Sequence, residues 1–106
     1  MTKAEIVTSI SDKLGMERGE VQAVLELFMK EVKGSLEQGE SVYLRGFGSF
    51  VVKKRKSKTA RNILKNTAMI LPAYCAPAFK PSKGFVENIK SKVDVEKFVE
   101  KKNLNK

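Results

Sequence analysis

The longest amphipathic pattern in the chain constrains the first half of the fold. Val21, Val24, Leu25, Phe28, Met29, Val32 and Leu36 recur at three- and four-residue spacing. That spacing is one face of a helix. It predicts a helix over about 18–38, stopped by Gly39. Glu17 is a poor N-cap, so the start is weakly marked. A shorter helix is expected at about 3–14. Thr2 and Glu5 have the spacing of a capping box, Ile6, Val7, Ile10 and Leu14 share a face, and Gly15 follows as a stop.

Beyond Gly39 the period changes. In "ESVYLRGFGSFVVKK", Val42 and Leu44 alternate with Tyr43 and Arg45, then Phe50 and Val52 with Ser49 and Val51. With "GFG" as turn, this is a β-hairpin at about 40–54. Residues 55–66, "RKSKTARNILKN", are basic and show no core pattern. "TAMILPAYCAPAFKP" reads as extended chain broken by Pro72 and Pro77. Pro81-Ser82 then opens a third helix from about 82, with Phe85, Val86, Ile89 and Val93 at helical spacing. The class is α+β.

The residue inventory excludes much chemistry. Cys75 is the only cysteine and there is no histidine. A disulfide framework, the usual transition-metal sites and Ser-His or Cys-His catalysis are therefore not expected. Neither is a catalytic pair of carboxylates, a nucleotide-binding glycine loop, a cofactor or a small-molecule substrate. The N-terminus lacks the basic start and apolar block of a secretory signal, and no apolar run is long enough to span a bilayer. A cytoplasmic protein that is not an enzyme is expected.

The net charge of +9 is unevenly placed. Residues 1–50 carry six basic and eight acidic side chains, whereas residues 51–92 carry eleven basic and one acidic. A polycation attached to a near-neutral front half points to a polyanionic partner. If about 53–76 projects as an arm and about 93–106 is a tail, the remaining body is small for one stable core. It nevertheless holds Phe28, Phe47, Phe50, Phe79 and the long aliphatic stripe. A homodimer sharing its core reconciles these facts.

"RGFGSF" (45–50), "RN" (61–62) and "PAFKP" (77–81) stand in the order and spacing of the HU/IHF family of bacterial histone-like DNA-binding proteins. The resemblance runs without a gap over about residues 1–92. It implies an intertwined dimer with a helical base (about 1–39), a short antiparallel sheet with extended β-ribbon arms (about 40–81) and a C-terminal helix. The tail, 93–106, extends beyond the usual family end. The resemblance also implies binding of double-stranded DNA, bending at the arm tips and a place in the bacterial nucleoid. At the arm tip the family carries Arg-Asn-Pro. Here Arg61 and Asn62 are followed by Ile63. Isoleucine is among the side chains that wedge between base steps, so Ile63 is expected to intercalate, with Leu64 as a buttress and Arg61 and Asn62 in the minor groove. Phosphate contacts are expected from Lys53, Arg55, Lys58, Lys65, Lys80, Lys83 and Lys3, and from backbone amides at Gly46 and Gly48. Phe28, Val32, Leu44, Phe47, Phe50 and Phe79 are expected in the core and dimer contact.

Three rival readings remain open at this point: a site-specific IHF-like subunit, a basic module that docks an acidic protein, and an RNA binder. "RGFG" matches the first half of an RNA-recognition octamer, but Ser49 and Val52 stand where aromatics would be needed.

Overall fold

The structure, a computed structural model, describes residues 1–62 and 67–99. Its elements in chain order are α1 (Lys3–Leu14), α2 (Arg18–Glu37), β1 (Val42–Leu44), β2 (Gly48–Arg55), β3 (Lys58–Asn62), β4 (Thr67–Leu71), β5 (Tyr74–Pro81) and α3 (Lys83–Lys92). The capping box of α1 is formed: the Thr2 hydroxyl accepts from the Glu5 amide, and the Glu5 carboxylate accepts from the Thr2 amide at 2.9 Å. Gly15 ends α1 in the left-handed region at φ 67° and donates back to the Ser11 carbonyl. At the start of α2, Glu17 makes no side-chain capping bond.

β1, β2 and β5 form an antiparallel sheet in the order β1-β2-β5, while β3 and β4 pair with each other. Gly48 faces Pro81 and Arg55 faces Tyr74 in the first ladder; Lys58 faces Leu71 and Asn62 faces Thr67 in the second. The offset is the same in both, so a single two-stranded ribbon leaves the sheet. Lys56-Ser57 and Pro72-Ala73 mark the lapse between its two parts. Pro72 has no N–H to give the ladder, which accounts for a lapse without a slip in register.

Two details differ from the sequence expectation. Pro77 does not break the extended chain; it lies inside β5, opposite Val52. β5 is an edge strand of this sheet, where a missing N–H is tolerated. The helical spacing through Val93 also stops early. Val93 is extended at φ −102°, ψ 118°, and the Asp94 carboxylate accepts from the Glu96 amide at 2.9 Å. That local bond offers the backbone an alternative to another helical turn.

The core of one chain is small. Val7, Val21 and Val32 are its buried apolar residues among those described, joined by Ser11, whose hydroxyl donates to the Met16 carbonyl. Leu44 and Phe50 are half-buried. Val24, Leu27, Phe28, Met29, Phe47 and Phe79 stay exposed. The accessible surface is 9725 Å², against about 5,900 Å² for a compact monomer of this mass. A single chain leaves Val24, Phe28 and Met29, three of the seven residues of the α2 stripe, and Phe47 and Phe79 of the aromatic cluster open to solvent.

Candidate nucleic-acid interface

Strand alternation sorts the cations onto two faces. Residues directly opposite in a ladder share a face, and neighbours along a strand do not. Phe50, Val52, Pro77 and Phe79 lie on the helix-facing side; Val52 and Pro77 border a crevice with Leu36 of α2. Ser49, Val51, Lys53 and Arg55 of β2 therefore occupy the outward side, with Tyr74, Ala76, Ala78 and Lys80 of β5 opposite them. Lys53, Arg55 and Lys80 are exposed, no acidic residue lies on β2 or β5, and the small Ala76 and Ala78 keep this face flat.

Lys58 does not continue that row. Unbroken alternation places it with Lys54 on the opposite side of the ribbon, where it faces Leu71. The right-handed twist of a two-stranded ribbon can carry such a residue around to a ligand that the arm wraps. Arg61 and Asn62 end β3, paired with Ala68 and Thr67. Ile63, Leu64 and Lys65, expected at the arm tip, lie outside the described residues.

A second cluster forms where the β1–β2 turn meets α3. The Ser82 amide donates to the Phe47 carbonyl at 2.9 Å, and its hydroxyl donates to the Gly46 carbonyl at 3.1 Å. The same hydroxyl caps α3 by accepting from the Phe85 amide at 3.2 Å. These bonds hold the exposed Gly46, Lys80 and Lys83 at one corner of the sheet. Arg45, also exposed, enters the same turn, and a cation beside a tight turn is a signal the sequence itself carries. Gly46 sits at φ 82° with open space around it, so its glycine serves the turn. Gly48 is different. It is buried, and a Cβ there would lie 2.5 Å from the Lys80 carbonyl oxygen and 2.6 Å from the Phe79 ring. Its lack of a side chain is explained by that close approach; unlike Gly46, it has little surface to offer a phosphate.

The aromatic residues support this corner from below. The Phe79 ring lies 4.9 Å from Phe50 and 5.1 Å from Phe47, and Phe47 stacks on Phe85 at 5.6 Å. Such offset contacts stiffen the turn, the sheet and α3 as a unit. On the helical base, the Lys3 ammonium lies 2.8 Å from the Glu26 carboxylate, which also accepts from the Gln22 amide at 3.0 Å. The Lys3 hydrogen bond is the main cause holding the Glu26 carboxyl below its ordinary pKa. Lys3 is thus partly neutralised within the chain.

A family model described as "Bacterial DNA-binding protein" matches residues 1–90. The chain belongs to the HU/IHF family of bacterial DNA-binding proteins. It is 34% identical over 82 residues to integration host factor subunit alpha of an Anaeromyxobacter species, covering 77% of this chain and 83% of that protein. It is 33% identical over 90 residues to DNA-binding protein HU of Thermus thermophilus, covering 85% and 93%. Among solved structures, it is similar to an Anabaena HU–DNA cocrystal structure, with a TM-score of 0.81, 34% identity and coverage of 84% of this chain and 97% of that one. The HU/IHF match and this structural similarity agree with the α+β fold and the arms. The family match ends before the extension at 93–106, and no helix among the described residues is long and apolar enough to cross a membrane.

Proposed function

We propose that this HU/IHF chain is a non-enzymatic architectural protein. It acts as a homodimer that binds duplex DNA mainly through phosphates and the minor groove, and it bends the duplex with little sequence readout. The observation that carries this reading is the segregation of charge. The outward face presents Lys53, Arg55 and Lys80 with no acid between them. Phosphate contacts from such a face position a duplex without reading its bases. The dimer supplies the cover that the exposed stripe and Phe47, Phe28 and Phe79 lack, and it doubles the cationic surface. The similar Anabaena HU has been crystallised with DNA.

Bending is driven by Ile63 at each arm tip. Unstacking a base step costs a few kcal/mol, which phosphate contacts along the flanks offset. Many such contacts compact a chromosome, which makes the nucleoid the site of action. The test is an end-labelled short duplex, compared for wild type and Ile63→Ala across a salt series. Equal salt slopes with strong bending by wild type alone assign the wedge to Ile63. Equal bending by the variant removes the wedge from Ile63, and absence of duplex binding removes the architectural function.

The 34% identity to an integration host factor subunit favours a second reading, a site-specific bending subunit. Competition between unrelated duplex sequences separates the two. A general binder is displaced equally by all of them, and a site-specific one is not.

A further inference from the structure

An aromatic ring stands among the cations of the outward face. On that side of the β2–β5 ladder, β5 places Tyr74, Ala76, Ala78 and Lys80, and β2 places Ser49, Val51, Lys53 and Arg55. Tyr74 is directly opposite Arg55, and its neighbour on the face, Ala76, is opposite Lys53. Side chains so placed are about 5 Å apart across the ladder and about 7 Å apart along a strand. Tyr74 is 57% exposed, and the small Ala76 and Ala78 do not rise to cover it. A lone exposed aromatic is ordinary on a protein surface. This one sits beside two cations of the face that meets phosphates, at the last pair before the arm leaves the sheet. The other tyrosine, Tyr43, has Ser49 rather than a cation opposite it.

We propose that Tyr74 is a further duplex-contact residue, whose ring packs on the deoxyribose that joins the phosphates held by Lys53 and Arg55. A sugar edge is C–H surface bracketed by phosphates. Cations that fix those phosphates bring the sugar against whatever apolar surface lies beside them. On this face that surface is the Tyr74 ring. The contact is neutral. It releases no counterion, so it adds affinity without steepening the salt dependence, and it carries no base information. The proposal rests on the DNA-binding reading above.

Tyr74→Ala and Tyr74→Phe are titrated against one labelled short duplex by fluorescence anisotropy at a series of salt concentrations. Loss of about 30 Å² of buried ring surface per chain corresponds to about tenfold in affinity for the dimer. Tyr74→Ala should therefore bind about tenfold more weakly at every salt concentration with the wild-type slope, and Tyr74→Phe should stay within about twofold of wild type. Unchanged affinity in Tyr74→Ala overturns the contact. A shallower slope also overturns it, because the tyrosine would then act by positioning Arg55 or Lys53. Equal losses in both variants assign the effect to the hydroxyl and overturn the packing of the ring. A second readout is independent of how Tyr74→Ala folds. The chain has two tyrosines and no tryptophan, so Tyr43→Phe leaves Tyr74 as the only emitter of its kind. Adding duplex should remove most of its quenching by acrylamide, and quenching that duplex leaves unchanged overturns the proposal. If wild type fails to bind the short duplex, the DNA-binding reading itself is overturned.

Discussion

Which face of the sheet meets the duplex can be decided by removing the same charge from either side. Lys53 and Arg55 share the outward face, and Lys54 lies on the other, opposite Cys75. Alternation places Lys56 with Lys54. The variants are Lys53→Gln/Arg55→Gln and Lys54→Gln/Lys56→Gln, which have identical net charge. All four side chains are exposed, so neither variant opens a cavity or orphans a buried group. In the dimer, the outward variant removes four phosphate contacts. At about 0.9 in log–log salt slope per phosphate, the slope should become shallower by about 3.6. Over a fourfold rise in salt, that difference amounts to about 150-fold in relative affinity. The other variant loses the general attraction of two charges per chain but none of those contacts, so its slope should stay near wild type. The assay is fluorescence anisotropy on one short duplex at a series of salt concentrations. Equal slope changes in both variants would refute the face assignment. A larger change for Lys54→Gln/Lys56→Gln would reverse it.

Two further outcomes follow from the local geometry. Gly48→Ala drives a Cβ into the Lys80 carbonyl and the Phe79 ring. It should cost about 1–3 kcal/mol as overpacking, whereas Gly46→Ala, with space around it but a left-handed backbone, should cost about 1–2 kcal/mol; thermal melts in which Gly46→Ala is clearly the worse would contradict this. The Glu26 carboxyl is held below its ordinary pKa by the Lys3 hydrogen bond, so the ionised form is favoured in the fold. The stabilisation is present above the unfolded-state pKa and lost as pH falls through the lowered folded value. Wild type should therefore lose stability relative to Glu26→Gln only in that acidic window, and a difference that instead grows above neutral pH would refute the assignment.

The helices were legible because their signals are local. A capping box spans four residues and an amphipathic stripe repeats every turn, so α1 and α2 follow from the sequence within a residue or two. The stripe was misleading in one respect. Periodicity says which side of α2 is apolar but not which partner covers it. Val21 and Val32 are buried within the chain, while Val24 and Phe28 on the same stripe remain open. Pairing between distant strands was less legible. Nothing in "RKSKTARN" marks β3 as a strand: its letters show no apolar–polar alternation, and Lys58 and Thr59, adjacent and so on opposite faces, are both exposed. Pro77 suggests a break in the letters because whether a strand lies at an edge is a property of the sheet, not of the residue.

The same difference between local and sheet-level information separates the two roles of the candidate interface. Cations in a row are visible in any alignment of the letters, yet only the ladder says that Lys53 and Arg55 face away from α2 together with Lys80, twenty-five residues beyond Arg55. Gly46 and Gly48 look alike in "RGFG". The fold gives one to an open turn tied to Ser82 and the other to a contact that admits no side chain. That tie has a mechanical consequence. A force applied at the arm through β2 and β5 reaches the Gly48–Pro81 pair at the base of the ladder, and from there the Ser82 cap of α3. The aromatic contacts of Phe47 with Phe79 and Phe85 brace the same junction. An arm that bends a duplex needs such an anchor, since a hinge at its base would absorb the strain in the protein and leave the DNA straight.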